Sequence, residues 1–435
     1  MRIKEALDRV IEEELIHFEM PGHKGRIEEE IYKYDYTEIE GTDNLTSPQG
    51  AILETMEAIS RAFGSKKSFI SINGSTGGLL GAMSAAFKRG DEIIIMRGAH
   101  ISIYDGIYLL GLRPRYLYND RDYLAQLKEL VNENTRGLVL TSPDYYGAIL
   151  DEEIFQWIRA RDLTLIVDEA HGSHLKLIDE SLSSMAYADI VVHSFHKTLP
   201  SMTQSAVVHL CSERFSENYL QKHIKLFQST SPNYLLMRSL DLALEIYESR
   251  GKKLMEDLLE NCRAFKEELE KTTDFYVDYR GKRQDKTRLF ISHKKEIDYG
   301  DLDKKLRARA LQSEFFNQDG ILLMPSIMNI KNDFDKLLEA LQGLELIDKK
   351  KLGYKDFRPV RALEVGQAFL RQTRLVSFKE AVGRVVTEYA IPYPPGSPVL
   401  VPGEIMDKKL AAYLEDFQGE IVGLERPGYI GILED

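Results

Sequence analysis

Between residues 69 and 210, short apolar runs alternate with stretches of helical periodicity, the pattern of a parallel sheet wrapped by helices. The runs predict strands at Phe69–Asn73, Glu92–Met96, Arg115–Tyr118, Leu138–Thr141, Leu165–Asp168, Ile190–Ser194 and Ala206–Leu210. Several are rich in Ile, Val and Leu, as strands covered on both faces should be. Helical stretches such as Gly78–Lys88 and Tyr123–Asn132 lie between the earlier strands. A short loop joins the last two, which makes that pair the candidate for an antiparallel exception.

After Pro232 the periodicity turns helical, through Leu235–Ser249 and Lys252–Lys271. Strands at Phe275–Tyr279, Leu289–Ser292 and Ile321–Pro325, with helices near Asp301–Gln312 and Phe334–Leu346, predict a smaller α+β region. Asp348–Pro359 is polar and lysine-rich and reads as a linker or domain edge. Five prolines between Ile391 and Glu404 rule out a helix there and predict a rigid, extended loop. The expected organisation is an N-terminal arm (1–40), a large domain (41–271), a small α+β domain (272–347) and a C-terminal domain (348–435).

At 435 residues the chain is too long for one simple core, which agrees with that division. Hydrophobic residues make up 43% and charged residues 29%, values that argue against extensive disorder. A net charge of −12 disfavours a phosphate-backbone partner. The two cysteines, Cys211 and Cys262, stand in unrelated contexts, so neither a disulfide framework nor a structural metal site is expected. The charged, amphipathic start lacks the apolar core of a signal peptide, and no run of eighteen apolar residues occurs. A reduced, cytoplasmic enzyme is the expectation.

Three strand ends carry candidate chemistry. Asn73–Gly78 (NGSTGG) follows a strand and precedes a helix, offering hydroxyls and helix-start amides to an anion. It is neither a dinucleotide fingerprint nor a Walker loop, and an ordinary capped turn would explain it equally. Asp168, in Val167–Gly172 (VDEAHG), ends an apolar strand where ligands of open α/β sheets usually sit. A carboxylate there can keep a pyridine nitrogen protonated, although metal-binding acids and helix caps occupy such positions too. Lys197, in His193–Thr198 (HSFHKT), follows the next strand and could form an imine with a carbonyl cofactor. Taken singly, a lysine is a surface residue. An anion cup, then a carboxylate, then a lysine, each at a strand end, is the order in which many pyridoxal-phosphate enzymes present their parts.

The chain resembles the bacterial ornithine/lysine/arginine decarboxylases of the aspartate-aminotransferase-like fold (fold type I). The resemblance runs through Met20–Lys24 (MPGHK), Gly41–Leu45 (GTDNL), Gly74–Gly78, Asp168–Gly172 and Ser194–Lys197. It continues in Ser229–Tyr234 (STSPNY), Tyr393–Gly396 (YPPG) and Pro402–Glu404 (PGE). It implies an α/β large domain with a mainly parallel, seven-stranded sheet and a pyridoxal 5'-phosphate cofactor carried by Lys197 as a Schiff base. Asp168 would pair with the pyridine nitrogen, and His100 would stack on the ring. His171 would lie beside the ring or the carboxylate. Ser75, Thr76 and Gly77 would hold the phosphate with Ser194 and His196. Thr230, or its neighbour Ser229, would reach the phosphate of a partner subunit, making a homodimer the minimal active unit. Longer members begin with a receiver-like domain used in assembly, and this chain is a compact form for which a decamer is not implied. Phe195 stands where a small or hydroxylated residue is expected, which bears on local packing.

The implied reaction is decarboxylation of arginine, lysine or ornithine to the corresponding amine, which fits polyamine synthesis and acid resistance alike. Lys197 or a histidine would protonate Cα. Recognition of the distal cation calls for a carboxylate, and Asp43 and Glu404 are the candidates because both lie in motif segments. A loop cap or a surface acid explains each as well. An aminotransferase would need an arginine for the α-carboxylate, with Arg361, Arg371, Arg374 and Arg384 available. An aldolase acting on amino acids fits the same strand-end residues, as does a cofactor-binding protein without turnover.

Overall fold

The computed structural model describes residues 1–119, 122–350, 357–393, 396–417 and 419–434. Part of the lysine-rich linker and Pro394–Pro395 of the proline-rich run therefore lie outside the described residues. The central sheet comprises β1 (Lys67–Ser71), β2 (Glu92–Met96), β3 (Arg113–Leu117), β4 (Thr135–Thr141), β5 (Thr164–Asp168), β6 (Ile190–Ser194) and β7 (Ala206–Leu210). Its seven strands run in the spatial order β1-β7-β6-β5-β4-β2-β3. β7 is antiparallel to both neighbours, and the remaining pairs are parallel. The expected exception is thus real, and it also sets β1 against the direction of β7.

The strands are apolar on both sides because the sheet has a core on each face. Ile94, Met96, Leu138, Leu140, Leu165, Val167 and Val191 face one core. Ile93, Ile95, Val139, Ile166, Ile190 and Val192 face the other. The first core is closed by the helices Ala51–Phe63 and Tyr234–Ile246, the second by Gly74–Ala86, Ile101–Leu110 and Glu217–Lys225. The first ten residues of the expected arm are not detached. Ile3, Ala6, Leu7 and Val10 repeat at helical spacing and bury one face of the helix Ile3–Glu12, with Ile3, Ala6 and Leu7 joining the first core.

Element ends differ from expectation for identifiable reasons. β3 begins before Pro114, which is tolerated because β3 lies at the sheet edge and pairs only with β2. The helix expected from Gly78 starts at Gly74, since a glycine-rich first turn lacks apolar periodicity. The helices expected at Leu235–Ser249 and Lys252–Lys271 are joined through a π-type turn, Tyr247–Gly251.

The smaller region is a four-stranded antiparallel sheet in the order Phe315–Phe316, Ile321–Leu323, Leu289–His293, Phe275–Val277. The helices Lys252–Thr272 and Lys331–Gln342 pack together beside it. A two-residue pairing of Ala148–Ile149 with Arg283–Gln284 ties this region to the loop after β4. The C-terminal region has its own core, built on Val376, Phe378, Leu400, Met406, Leu410 and Ile430. It also contributes Val365, Tyr389 and Val401 to the second core of the large domain. Among the described residues no helix is long and apolar enough to cross a membrane.

Candidate active site

Parallel strands deliver their C-terminal ends to one edge of the sheet, and the candidate residues come from three of them. His100 follows β2, Asp168 ends β5, and Lys197 lies in the single turn Phe195–Thr198 after β6. Phe195 is fully buried against Phe63, 5.3 Å between ring centroids. The large residue at this position is therefore a core anchor for the turn, while His196 and Lys197 stay partly accessible.

Lys197 Nζ lies 3.1 Å from His171 Nε2. Burial holds the amine below the ordinary lysine range, although Asp168 and Glu314 pull the other way. His171 is driven well below the usual histidine range by burial and by the charges of Lys197 and Arg288. A neutral imidazole accepting from Lys197 carries its proton on Nδ1, and that atom has no hydrogen-bond partner among the described residues. His100 caps the helix Ile101–Leu110, with Nδ1 2.9 Å from Ser102 Oγ. Burial lowers its pKa, with Asp168 opposing and Lys197 adding to the effect. The four residues expected to be catalytic thus act on one another at a single strand-end site.

The expected anion cup adjoins this site. Gly74, at a φ of +69°, turns the chain into the helix Gly74–Ala86, and its N–H donates to Gln204 O at 3.0 Å. Gln204 lies in the loop after Lys197, so that loop and the cup are joined directly. Ser75 and Thr76 occupy the first helical turn. Gly77 is buried where a side chain would meet Phe227 O at 2.9 Å. Ser194 Oγ is buried with no hydrogen-bond partner among the described residues. His196 Nδ1 lies 3.0 Å from Ser205 O. Ser229 lines a shallow depression with Asn73, Thr76 and Gly77 of the same chain, and Thr230 beside it is exposed.

These residues fit a phosphorylated pyridine aldehyde. A helix start with hydroxyls and an orphaned buried serine suits the phosphate. A buried strand-end carboxylate suits the ring nitrogen, and an amine with depressed pKa suits the aldehyde.

The two acids expected to receive the substrate's cation are used otherwise. Both oxygens of Asp43 are taken by backbone amides: Asn44 at 2.8 Å, Gln49 at 3.0 Å, and Gly50 and Ile52 each at 2.9 Å. Asp43 therefore caps the start of the helix Ala51–Phe63. Glu404 Oε2 accepts from Arg97 Nη2 at 2.8 Å and from Val401 N at 2.9 Å, in full burial. Burial pushes the Glu404 carboxyl above the ordinary carboxylate range, with Arg97 opposing. Both oxygens of Asp43 are thus taken, whereas Glu404 keeps its Oε1 buried and without a hydrogen-bond partner among the described residues.

Other residues at the site escaped sequence reasoning. The Tyr145 ring lies 4.7 Å from that of His171, and its hydroxyl donates to Glu314 Oε1 at 2.6 Å. Buried Arg288 donates to His171 O at 3.2 Å. Tyr145 follows a strand end and could have been sought there. Glu314 and Arg288 stand in no motif and are brought in by the small domain.

The chain matches two family profiles, "Orn/Lys/Arg decarboxylase, major domain" over residues 3–296 and "Orn/Lys/Arg decarboxylase, C-terminal domain" over residues 355–430. It is 29% identical to the arginine decarboxylase of Bacillus subtilis (strain 168), covering 92% of this chain and 90% of that protein. In fold it resembles the Francisella novicida lysine decarboxylase LdcF, with a TM-score of 0.86 at 18% identity, covering 100% of this chain and 81% of that one. A structure of SPT with PLP shares the fold more distantly, with a TM-score of 0.56 at 15% identity, covering 66% of this chain and 75% of that one.

Proposed function

The chain belongs to the Orn/Lys/Arg decarboxylase family, and on that premise we propose that it removes the α-carboxylate of arginine, lysine or ornithine as carbon dioxide, with pyridoxal 5'-phosphate carried on Lys197. The observation that carries this reading is the half-buried Lys197 amine, 3.1 Å from His171 Nε2 and under the charge of Asp168.

When bound, the cofactor draws the electron pair of the broken Cα–carboxylate bond into its ring. Asp168 would hold the proton on the ring nitrogen, and His100 would cover the ring. Ser75, Thr76, Ser194 and His196 would hold the phosphate, with Ser229 bordering the cup within the chain and exposed Thr230 reaching the cup of a partner subunit. Burial favours the neutral form of Lys197, which is the form able to attach the cofactor. Lys197 Nζ, in contact with His171 Nε2, is placed to share the proton returned to Cα.

A homodimer is supported by the apolar side chains that Leu15, Ile16, Phe18, Met20, Ile27 and Ile31 expose along one N-terminal stretch, with Phe18 at 90% accessibility. A cytoplasmic location agrees with the unpaired thiols of Cys211 and Cys262. The amine product would serve polyamine synthesis, and its formation would consume protons in acid. As for amino transfer, Arg361 is committed to Pro114 O at 2.7 Å, and Arg371 and Arg374 are exposed on the C-terminal region.

The test is product identification after incubating the cofactor-loaded protein with each of the three amino acids. The expected outcome is the corresponding amine from at least one of them. A 2-oxo acid with pyridoxamine phosphate would replace decarboxylation by amino transfer.

A further inference from the structure

A basic substrate places a second cation beyond the reacting carbon, and a partly desolvated site must meet it with negative charge. The acids near Lys197 are mostly committed elsewhere. Asp168 is buried at the end of β5. Glu169 is enclosed by Ser183, Ser184 and His193. Asp285 is buried between His174 and Thr287. Asp43 is occupied as described above, and Glu404 is enclosed against Arg97 with no exposure to a ligand. Of the two carboxylates that act on Lys197, Asp168 and Glu314, Glu314 alone is exposed.

We propose that Glu314, oriented by Tyr145 at the rim of the Lys197 site, is the carboxylate that receives the distal ammonium or guanidinium of the substrate and so selects for a basic side chain. This assignment rests on the reading of the chain as a decarboxylase of basic amino acids.

A continuous line of contacts leads from the amine to the acid. Lys197 Nζ is 3.1 Å from His171 Nε2, the His171 ring is 4.7 Å from the Tyr145 ring, and Tyr145 Oη is 2.6 Å from Glu314 Oε1. A substrate attached near Lys197 and running past His171 and Tyr145 would end at Glu314. The acid is firmly mounted. Its N–H donates to Leu322 O at 2.9 Å, and the next residue, Phe315, is buried 5.4 Å from the Tyr145 ring. Glu314 is exposed, and the charge it exerts on Lys197 can be shared with the cation of a ligand. The Tyr145 hydrogen bond fixes one carboxylate oxygen and leaves the other for the incoming cation. Burial and the hydrogen bond to Glu314 both raise the Tyr145 pKa, which keeps this hydroxyl a donor.

The experiment compares wild type, Glu314→Gln and Tyr145→Phe, all loaded with cofactor. Each is offered arginine, lysine and ornithine, and also norleucine, which keeps the length of lysine without its charge. Glu314→Gln should lower kcat/KM for the preferred basic substrate by roughly 100-fold or more and abolish its preference over norleucine. Tyr145→Phe should cost roughly 10-fold, expressed mainly in KM. Unchanged preference in Glu314→Gln would overturn the assignment. Calorimetric titration with agmatine, cadaverine and putrescine separates this outcome from failure of the underlying activity. Diamine binding that weakens in Glu314→Gln supports the assignment even if the wild type turns over none of the amino acids. Equal diamine binding by wild type and Glu314→Gln, or no binding by either, overturns it.

Discussion

Asp168 and Glu169 are adjacent in sequence but face opposite demands. Asp168 is coupled to His100 and Lys197, at the site. Glu169 turns into the protein, where its carboxylate accepts from Ser183 Oγ and Ser184 N, each at 2.7 Å, and meets His193 Nε2 at 3.1 Å. His193 Nδ1 continues to His209 Nε2 at 3.1 Å, and His209 Nδ1 to Ser68 Oγ at 2.9 Å. Burial and the neighbouring His193 drive His209 well below the usual histidine range, so this chain crosses β6, β7 and β1 with His209 uncharged. A second buried group backs His171. Asp285 Oδ2 lies 2.9 Å from His174 Nε2 and 3.7 Å from Arg288 Nη1, and Arg288 in turn holds the His171 carbonyl. Burial would raise the Asp285 carboxyl, but His174 and Arg288 outweigh it and hold it below its ordinary value of 3.8. A depressed carboxylate contributes stability above its unfolded pKa, and the contribution is lost as the pH falls through the folded value. Asp285→Asn should therefore cost about 3–5 kcal/mol at neutral pH by leaving Arg288 without its counter-charge. The difference in urea unfolding between variant and wild type should persist down to about pH 4 and shrink as the pH falls below 3.8 toward the lower folded value. A constant difference across that range would place the effect in packing instead of charge.

The helix Gly74–Ala86 shows at the scale of one element how packing and ligand binding are coupled. Gly78 lies against Val208 and Val192, where an added Cβ would approach to 2.9 and 3.1 Å. Gly81 lies against the helix Glu217–Lys225, with a hypothetical Cβ 2.8 Å from Ile224 Cα. Gly81→Ala would gain about 1 kcal/mol of helix propensity. It would lose about 1–3 kcal/mol to overpacking, because the obstacle is backbone. The net effect should be a lower Tm and, since Ser75 and Thr76 ride on the same helix, weaker cofactor uptake in a fluorescence titration. Unaltered melting would show that the two helices can separate freely. The strands and strand-end motifs were legible because apolar runs and strand-to-turn transitions are local patterns. Those patterns located Asp168, Lys197 and the cup at strand ends, whereas His100 came from the family resemblance. The helix start at Gly74 was not legible, since glycines that serve close packing leave no periodic trace. The backbone loop around Asp43 and the arginine against Glu404 were not legible, because a carboxylate in a motif looks the same whether it meets a ligand, a backbone loop or an arginine. Glu314, Tyr145 and Arg288 meet only through tertiary structure, and no spacing rule connects them.

Across the whole molecule, the site is assembled where three regions meet. The seven-stranded sheet supplies the strand ends, the smaller α+β region carries Arg288 and Glu314, and the C-terminal region is latched to the segment that carries His100. The latch is the buried pair Arg97–Glu404 at 2.8 Å, backed by Arg97 Nη1 to Tyr104 Oη at 2.9 Å and by Ser397 Oγ to Gly98 O at 2.7 Å. Arg97→Met or Glu404→Gln alone should destabilise by about 3–5 kcal/mol, because each leaves its buried partner uncompensated. The double variant should cost less than the sum of the two, and a double-mutant cycle by thermal unfolding measures that coupling. Additive effects would mean that the pair does not act as a latch. The most direct test of the proposed decarboxylation is carbon dioxide release from carboxyl-labelled arginine, lysine and ornithine by the cofactor-loaded protein and by Lys197→Ala. Labelled carbon dioxide should appear in step with amine from at least one substrate, and should fall by roughly 1,000-fold or more in a folded Lys197→Ala variant. Release that persists without Lys197, or no release from any of the three by the loaded wild type, would contradict it.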